Sequence, residues 1–330
     1  MKVIVTGGAG FIGRRLAKAL LDRETLIGGD DQPARIDRLV VADVIAPDPG
    51  ISEDPRLEVR VGDIGEPDFV RGLVDDDTGL VFHLAAVVSG GAEADFDLGM
   101  RVNLESSRHL LEAVRHLAQP ARLVFASSVA VYGGDMPDVI EDSTALTPQT
   151  SYGIQKAVTE LLINDYSRKG FLDGRSLRLP TIVVRPGKPN KAASSFASNI
   201  LREPLEGRET NCPVGRETGV WVLSPRRVVE NFIHAAELPA ETWGSNRGVA
   251  LPGMTVSVAE MVDALGRIGG EGVASRINWQ PDPYIEKIVY GWATRFAPRR
   301  AEAMGFSADA SIDEIIRAFI DDELGGQFVA

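Results

Sequence analysis

The sequence predicts an α/β fold in which a doubly wound parallel sheet carries helices on both faces. Three observations support this prediction. Short apolar runs alternate with amphipathic stretches through the first half of the 330-residue chain. The apolar runs are nearly continuous, which is typical of strands buried on both faces. A glycine-rich segment, residues 7–13, follows directly after the first run.

Each predicted strand is an apolar run, and the predicted helices are amphipathic stretches between such runs. The strand runs are residues 3–5, 38–44, 57–64, 80–86, 122–128 and 176–184, and the helical stretches are residues 11–21, 97–116 and 152–168. Two polar segments, residues 28–37 and 46–55, predict an insertion and a loop. Right-handed crossovers between parallel strands make the predicted sheet Rossmann-type.

Residues 185–190 (RPGKPN) end the regular alternation, because Pro and Gly at this density predict a loop. We therefore expect a nucleotide-binding domain over residues 1–186 and a smaller, less regular substrate-binding region over residues 187–330. A strand and a helix within residues 219–238 are expected to pack back onto the first domain. Later patterns predict an apolar run over residues 249–258 and helices over residues 258–268 and 312–324.

Composition excludes several classes of partner. The net charge of −12 disfavours nucleic acid and anionic membranes. Cys212 is the only cysteine, so an internal disulfide is impossible and a reducing compartment is expected. The four histidines are far apart in the sequence, so we expect no metal site. There is no signal-peptide pattern and no apolar stretch of membrane-spanning length, which predicts a cytoplasmic protein.

Gly7, Gly10 and Gly13 predict a nucleotide-binding turn. They have the spacing G-x-x-G-x-x-G, follow a predicted strand and open a predicted helix. Glycine permits a tight turn and lets backbone N–H groups approach a pyrophosphate, to which the helix N-terminus adds partial positive charge.

Asp43 ends the second predicted sheet strand and predicts NAD rather than NADP. A carboxylate there can accept hydrogen bonds from both ribose hydroxyls, and it would repel a 2′-phosphate. Asp63 and Ile64 end the next strand and could flank the adenine. The alternative for Asp43 is an aspartate that starts a loop, and the alternative for Asp63 is an aspartate that forms a turn. The further expected cofactor contacts are Phe11, Ile12, Leu84, Ala85, Ala86, Ser127, Pro180, Thr181 and Ile182.

Tyr152 and Lys156 predict proton transfer. Their spacing of four places both side chains on one helix face. A free phenol titrates near pH 10, and a neighbouring ammonium favours the phenolate. Ser128, at the end of the fifth sheet strand, could hydrogen-bond a substrate hydroxyl. The alternatives give these residues no function. Lys156 would then be a solvated lysine beside a half-buried tyrosine, and Ser128 would only form a turn.

The motifs together resemble the extended short-chain dehydrogenases/reductases. They are TGGAGFIG, the strand-end Asp43, GDI, HLAA, SSVAVYG, YGIQK and VRPG, and they extend over roughly residues 1–240. The resemblance implies Ser128 as the catalytic serine, Tyr152 as the acid/base and Lys156 as the residue that holds both the tyrosine and the nicotinamide ribose. Asn103 matches an asparagine that supports the lysine.

Within that superfamily the chain departs from the epimerases and resembles the D-erythronate dehydrogenases. Epimerases have L-R-x-x-N-x-Y-G-P where this chain has LRLPTIVVRPG, and its segments HLAAVVSGGAEADFDLGMRVN and SIDEIIRAFIDDEL match the dehydrogenases. The resemblance implies NAD-dependent oxidation of a small anionic sugar acid. Arg185, Lys188 or Lys191 could bind the carboxylate and Ser89 could face the substrate, with a solvated loop as the alternative.

Two other functions stay open at this point. A sugar-nucleotide 4-epimerase or dehydratase with tightly held NAD would share every cofactor residue. A non-catalytic NAD-sensing protein would not need Tyr152. The resemblance also implies a homodimer in which the helices that bear Asn103 and Tyr152 form a four-helix bundle.

Overall fold

The central element of the computed structural model is a seven-stranded sheet. The structure describes residues 1–47, 53–187 and 192–330. In chain order its strands are β1 Lys2–Thr6, β2 Thr25–Ile27, β3 Pro33–Arg35, β4 Arg38–Asp43, β5 Leu57–Val61, β6 Thr78–His83, β7 Arg122–Ser128, β8 Ile140–Glu141, β9 Asp173–Leu179, β10 Thr181–Ile182, β11 Thr210–Cys212, β12 Gly219–Leu223, β13 Gly248–Ala250, β14 Met254–Ser257, β15 Ile277–Trp279 and β16 Phe296–Ala297.

Helices separate most of these strands. The α-helices are α1 Phe11–Leu21, α2 Pro67–Leu73, α3 Ser89–Ala94, α4 Phe96–Gly99, α5 Ser106–Arg115, α6 Ser151–Arg168, α7 Ser195–Leu205, α8 Pro225–Glu237, α9 Val258–Gly269, α10 Glu271–Ala274, α11 Pro283–Val289, α12 Arg299–Ala303 and α13 Ile312–Glu323. A π-helical segment, Met100–Glu105, joins α4 to α5, and 3₁₀ turns lie at Val129–Val131 and Ala240–Trp243.

The order of the strands reverses at β1. The sheet runs β13-β9-β7-β6-β1-β4-β5, and β1 pairs in parallel with both β4 and β6. The chain therefore builds one half of the sheet through β4 and β5 and then returns to build the other half through β6 and β7. In such a Rossmann-type sheet, ligands bind at the carboxyl ends of the strands where the order reverses.

Burial explains why the sequence forms this sheet. All five residues of β1 are buried, as expected for a parallel strand with helices on both faces. On α1 the buried residues Leu16, Ala17, Leu20 and Leu21 form one stripe, which is the amphipathic pattern of a helix that covers a sheet.

The chain forms two compact units. The first comprises residues 1–131, 150–178 and 229–250, and it contains the seven-stranded sheet apart from Leu179 at the end of β9. The predicted division at residue 186 differs from this one. Residues 132–149 and 179–186 belong to the second unit, and of the segment 219–238 only residues 229–238 belong to the first.

The second unit comprises residues 132–149, 179–228 and 251–330. It holds a three-stranded sheet, β10-β12-β14, and two strand pairs, β11-β15 and β8-β16. Its core is formed by apolar side chains of α7, α9, α13 and the three-stranded sheet, among them Ile200, Val222, Leu265 and Ile316.

Two apolar runs contain more than one strand. The run at 176–184 begins earlier than predicted, at Asp173, and divides between β9 and β10, because Pro180 has no N–H for the ladder. The run at 249–258 divides at Pro252-Gly253 between β13 and β14, which lie in different sheets. The predicted insertion at 28–37 is part of a β2–β3 hairpin. The predicted loop at 46–55 lies partly outside the described residues. Over the residues that are described, no helix is long and apolar enough to cross a membrane.

Candidate active site

Tyr152 and Lys156 lie one turn apart on α6. The helix starts at a side-chain cap, since the hydroxyl of Thr150 accepts a hydrogen bond from the N–H of Gly153 at 3.1 Å. The Nζ atom of Lys156 lies 5.5 Å from the centre of the Tyr152 ring. The same atom lies 4.6 Å from the centre of the Phe125 ring. The predicted pairing of tyrosine and lysine is therefore a contact in the folded chain.

Lys156 is buried, with 2% of its surface exposed. Its Nζ donates a hydrogen bond to the carbonyl oxygen of Ala126 at 2.8 Å. Burial lowers the pKa of Lys156 to about 7, and the carboxylate of Glu160 opposes this shift. A buried ammonium beside a phenol is the arrangement that favours a phenolate.

Ser127 and Ser128 are neighbours at the end of β7 with different surroundings. Ser128 is half-buried, and its Oγ accepts a hydrogen bond from the N–H of Ala130 at 3.1 Å. Ser127 is 2% exposed and its hydroxyl donates to Glu160. Ser127 was predicted to contact the cofactor, and its hydroxyl instead makes a hydrogen bond within the protein. Helix α6 packs against the 3₁₀ turn that follows Ser128.

Asn103 is buried within the π-helical segment. Its Oδ1 accepts from the N–H of Val87 at 2.8 Å, and its Nδ2 donates to the Val87 carbonyl at 3.1 Å. Nδ2 also donates to Oε1 of Gln155 at 2.7 Å. The contact to α6 is therefore made through Gln155, the residue before Lys156. Ser89, which begins α3, is half-buried.

The glycine turn connects β1 to α1 and packs so closely against neighbouring backbone that side chains would not fit. Gly7 has φ +70°, and a Cβ there would lie 2.7 Å from the N atom of Ala85. A Cβ on Gly13 would lie 2.2 Å from the carbonyl oxygen of Gly7. Gly10 is the N-cap of α1 and provides no side-chain cap. The backbone N–H groups of the first turn are then available to an anion such as a pyrophosphate.

Asp43 lies at the carboxyl end of β4, beside this turn. Its Oδ2 accepts from the N–H of Ala9 at 2.9 Å, and its Oδ1 accepts from the N–H of Val44 at 2.7 Å. The carboxylate is therefore held next to the glycine turn, as the ribose prediction requires. Asp63 differs, since it accepts from Arg101 at 2.6 Å and from the N–H of Gly65 at 2.7 Å.

The other predicted cofactor residues lie at strand and helix ends. Ile64, Pro180 and Ile182 are buried, whereas Phe11, Ile12, Leu84, Ala85, Ala86 and Thr181 are half-buried. Of these, residues 180–182 belong to the second unit.

Arg185 follows β10 in the second unit, and its side chain binds neutral oxygens there. Its Nε donates to the carbonyl of Ile182 at 3.1 Å, and its Nη2 donates to the hydroxyl of Ser194 at 3.1 Å. Lys188 and Lys191, the other predicted carboxylate ligands, lie outside the described residues.

Two buried residues of this site were not assigned a function from the sequence. His83 bonds to Thr6 at 2.8 Å through Nδ1 and to Ser107 at 2.9 Å through Nε2. Glu160 accepts from Ser127 and from Arg178. The sequence could have indicated Glu160, because this residue follows Lys156 by four positions on the same helix face. Across the described residues, no group of three or more His, Cys, Asp and Glu side chains could hold a metal ion.

Comparison with known proteins gives the family. The model of the "NAD dependent epimerase/dehydratase family" matches residues 3–237. The chain belongs to this family. It is an oxidoreductase with NAD as its cofactor, and the glycine turn and Asp43 fit that cofactor, since a helix N-terminus suits a pyrophosphate and a strand-end carboxylate suits a ribose.

Relatives within this epimerase/dehydratase family match almost the whole chain. A D-erythronate dehydrogenase of Cupriavidus necator is 56% identical over 98% of this chain and 98% of its own length. One from Haemophilus influenzae is 45% identical over 98% of this chain and 100% of its own. A crystal structure described as a nucleoside-diphosphate-sugar epimerase from Agrobacterium tumefaciens has a TM-score of 0.93 and 41% identity over 99% of this chain and 95% of its own.

Proposed function

We propose that this protein is a D-erythronate dehydrogenase, which oxidises the C2 hydroxyl of D-erythronate to give 2-dehydro-D-erythronate. The observation that supports the substrate is the 56% identity to a dehydrogenase of that name, since the alignment includes 98% of both chains. The geometry supports the chemistry, because Tyr152 and Lys156 are in contact on α6.

In the proposed mechanism each residue has a separate role. When bound, NAD supplies the acceptor for the hydride that leaves C2. Tyr152 takes the proton of the C2 hydroxyl, so the C–H and O–H bonds break and the C2 carbonyl forms. Lys156 favours the phenolate of Tyr152 through its charge. Ser128 donates a hydrogen bond that orients the hydroxyl, and Asn103 fixes α6 through Gln155.

Replacement of Tyr152 tests this mechanism. We expect Tyr152→Phe to bind NAD as wild type does and to lower turnover of D-erythronate by ~10² or more, the usual contribution of a general base. Tyr166→Phe is the matched control, because Tyr166 lies on the same helix and its hydroxyl bonds to Glu112. If Tyr152→Phe turned over nearly as fast as Tyr166→Phe, the mechanism would be wrong.

A sugar-nucleotide 4-epimerase is the second candidate, favoured by the description of the Agrobacterium tumefaciens structure. An epimerase regenerates its NAD in each cycle, whereas a dehydrogenase releases NADH. Absorbance at 340 nm that rises with D-erythronate and NAD, and stays flat with nucleotide sugars, supports the dehydrogenase. Interconversion of nucleotide sugars without net NADH would support the epimerase.

We propose in addition that the enzyme is a cytoplasmic homodimer. The single cysteine, Cys212, is a buried free thiol, which suits a reducing compartment. The support for the dimer is the exposed apolar surface of α6, where Ile154 is 49% exposed and Leu161 is 64% exposed. These positions are seven residues apart and so lie on one face of the helix.

A further inference from the structure

Glu160 is a buried carboxylate one turn after Lys156, with 3% of its surface exposed. Arg178 on β9 holds it from one side, with Nη2 at 2.7 Å from Oε2 and Nε at 3.0 Å from the same oxygen. The hydroxyl of Ser127 on β7 donates to Oε1. Glu160 therefore ties α6 to two neighbouring strands of the sheet.

These bonds hold the end of β7, to which Lys156 is hydrogen-bonded. Ser127 directly follows Ala126, and the carbonyl oxygen of Ala126 accepts the hydrogen bond from Lys156 at 2.8 Å. Ser128, the proposed hydroxyl-orienting residue, comes next in the same strand. Movement of Ser127 would therefore displace both the lysine anchor and Ser128.

The surroundings of Glu160 are shaped for an ion pair. A Cβ on Gly248 of β13 would lie 2.9 Å from Oε2 of Glu160 and 2.9 Å from Nη2 of Arg178. A buried ion pair adds little net stability compared with apolar residues of the same size, so a role in the reaction is a physical reason for it. Lys156 faces Glu160 and Tyr152 from its own helix and His83 from β6, while Arg178 faces Glu160 from β9.

We propose that Glu160 is a positioning residue for the reaction: through Ser127 it fixes the strand end Ala126–Ser128, and through its charge it keeps the buried Lys156 in the ammonium form. The kinetic part of this inference rests on the proposed dehydrogenase function. The electrostatic part concerns only the folded chain and is tested without substrate.

The electrostatic test is the pH dependence of unfolding. Because the pKa of Lys156 is lowered to about 7 in the folded state, the unfolded chain binds the extra proton above that pH, and stability rises with pH up to the ordinary lysine value. In Glu160→Gln this rise should begin about one pH unit lower. Lys156→Met and the double variant isolate the contribution of Lys156, and Asp165→Asn, on the exposed side of α6, is the control. An unshifted onset in Glu160→Gln would overturn the electrostatic role.

The kinetic test compares Glu160→Gln and Ser127→Ala with Asp165→Asn. We expect Glu160→Gln to lower kcat about tenfold at pH 8 and to move the pH optimum about one unit toward acid, whereas Glu160→Asp keeps the wild-type optimum. Ser127→Ala cuts the link to the strand and keeps the charge, so kcat should fall severalfold at an unchanged optimum.

A merely structural Glu160 would change melting temperatures and leave kcat and the optimum of every folded variant at the wild-type values. If Glu160→Gln did not fold, Ser127→Ala would decide the positioning role. A double variant, Glu160→Gln with Arg178→Met, removes both charges of the buried pair, and the onset of its rise in stability with pH would decide the electrostatic role. If the wild-type protein did not oxidise D-erythronate, the proposed function would be wrong. The unfolding experiment would still test the electrostatic role of Glu160.

Discussion

The hydrogen bonds of His83 determine which of its ring nitrogens carries the proton. The hydroxyl of Ser107 donates to the carbonyl of Asn103 at 2.7 Å, so its oxygen accepts from Nε2–H of His83. Nδ1 is then an acceptor for the hydroxyl of Thr6, whose oxygen accepts from the N–H of Ala85 at 3.3 Å. One neutral imidazole thus connects the strand before the glycine turn to the segment that holds Asn103.

Acid should destabilise the fold through His83. Burial, with a smaller effect of Lys156, lowers the pKa of His83 to about 3. Between that value and the ordinary 6.5 the unfolded chain binds the proton more readily, so stability falls as pH falls. We expect a loss of about 2 kcal/mol between pH 6 and pH 4.5 that is absent in His83→Gln, measured by urea unfolding.

His116 supplies the control for this experiment, because it is exposed on the surface of the same unit. His116→Gln should keep the full pH dependence. Equal dependence in both variants would mean that carboxylates, and not His83, carry the acid sensitivity.

Arg185 is the residue that we expect to bind the substrate carboxylate. The net charge of −12 repels an anion, so a local cation must offset it. Arg185→Lys keeps the charge but loses the planar fork. We expect the KM for D-erythronate to rise about tenfold, the usual effect of one lost charged hydrogen bond, while the Kd for NAD stays at the wild-type value.

A structural Arg185 would give a different result. Its bonds to Ile182 and Ser194 would then be its main contribution. The variant would melt earlier than wild type and bind substrate normally. A melting curve and a substrate titration of the same preparation separate the two outcomes.

At the scale of elements, a buried charge cluster holds the amino-terminal ends of β7 and β9. Asp173 accepts from Arg122 at 2.9 Å and from Arg175 at 2.6 Å, and both arginines are fully buried. Arg122 also bonds to Asp31 in the β2–β3 hairpin. Burial lowers the pKa of Arg175 to about 10 despite the opposing effect of Asp173. Both guanidinium groups therefore share the Asp173 carboxylate.

Loss of the Asp173 charge should destabilise these strand ends. Asp173→Asn leaves two buried cations with too little counter-charge, which costs about 3–5 kcal/mol in other proteins. Asp165→Asn removes a carboxylate from an exposed pair with Arg168 and should cost under about 1 kcal/mol. Urea unfolding of both variants checks the contrast, and similar losses would show that the cluster is not essential.

Much of the sheet could be predicted from the sequence because strands such as β1, β4 and β6 are largely buried apolar runs. The edge strand β5 is different, since its last three residues are exposed. Where one apolar run contains two strands, the apolar pattern alone does not show where the first strand ends. Pro180 and Pro252 indicate those strand ends better. Nothing in the sequence indicated the π-helical segment at Met100–Glu105, whose hydrogen bond from Asn103 to Gln155 of α6 is formed only in the folded chain.

The candidate site, like the fold, could be predicted only in part from the sequence. Tyr152, Lys156 and the glycines form local patterns, so the sequence predicts them. Ser127 and Ser128 are adjacent, and successive strand residues face opposite sides of a sheet. The sequence does not indicate which of the two serines is buried, and the partner of Ser127 lies 33 residues away.

At the scale of the whole molecule, the expected assembly depends on the outer face of α6. Leu161→Glu places a charge at a position that is 64% exposed in the single chain, so the fold should tolerate it. In a dimer that buries this face, the same carboxylate would be desolvated without a partner, at a cost of several kcal/mol. We therefore expect sedimentation velocity to give twice the 35.5 kDa chain mass for wild type and a single chain mass for Leu161→Glu.

Tyr284→Glu is the matched control for the dimer, because Tyr284 is 70% exposed on α11 in the second unit. It should sediment as wild type does, and both variants should keep the wild-type melting temperature at low protein concentration. A wild-type protein that sediments as a single chain would contradict the dimer. A Leu161→Glu variant that stays dimeric would move the interface away from α6 and leave the exposed pair Ile154 and Leu161 without a role in assembly.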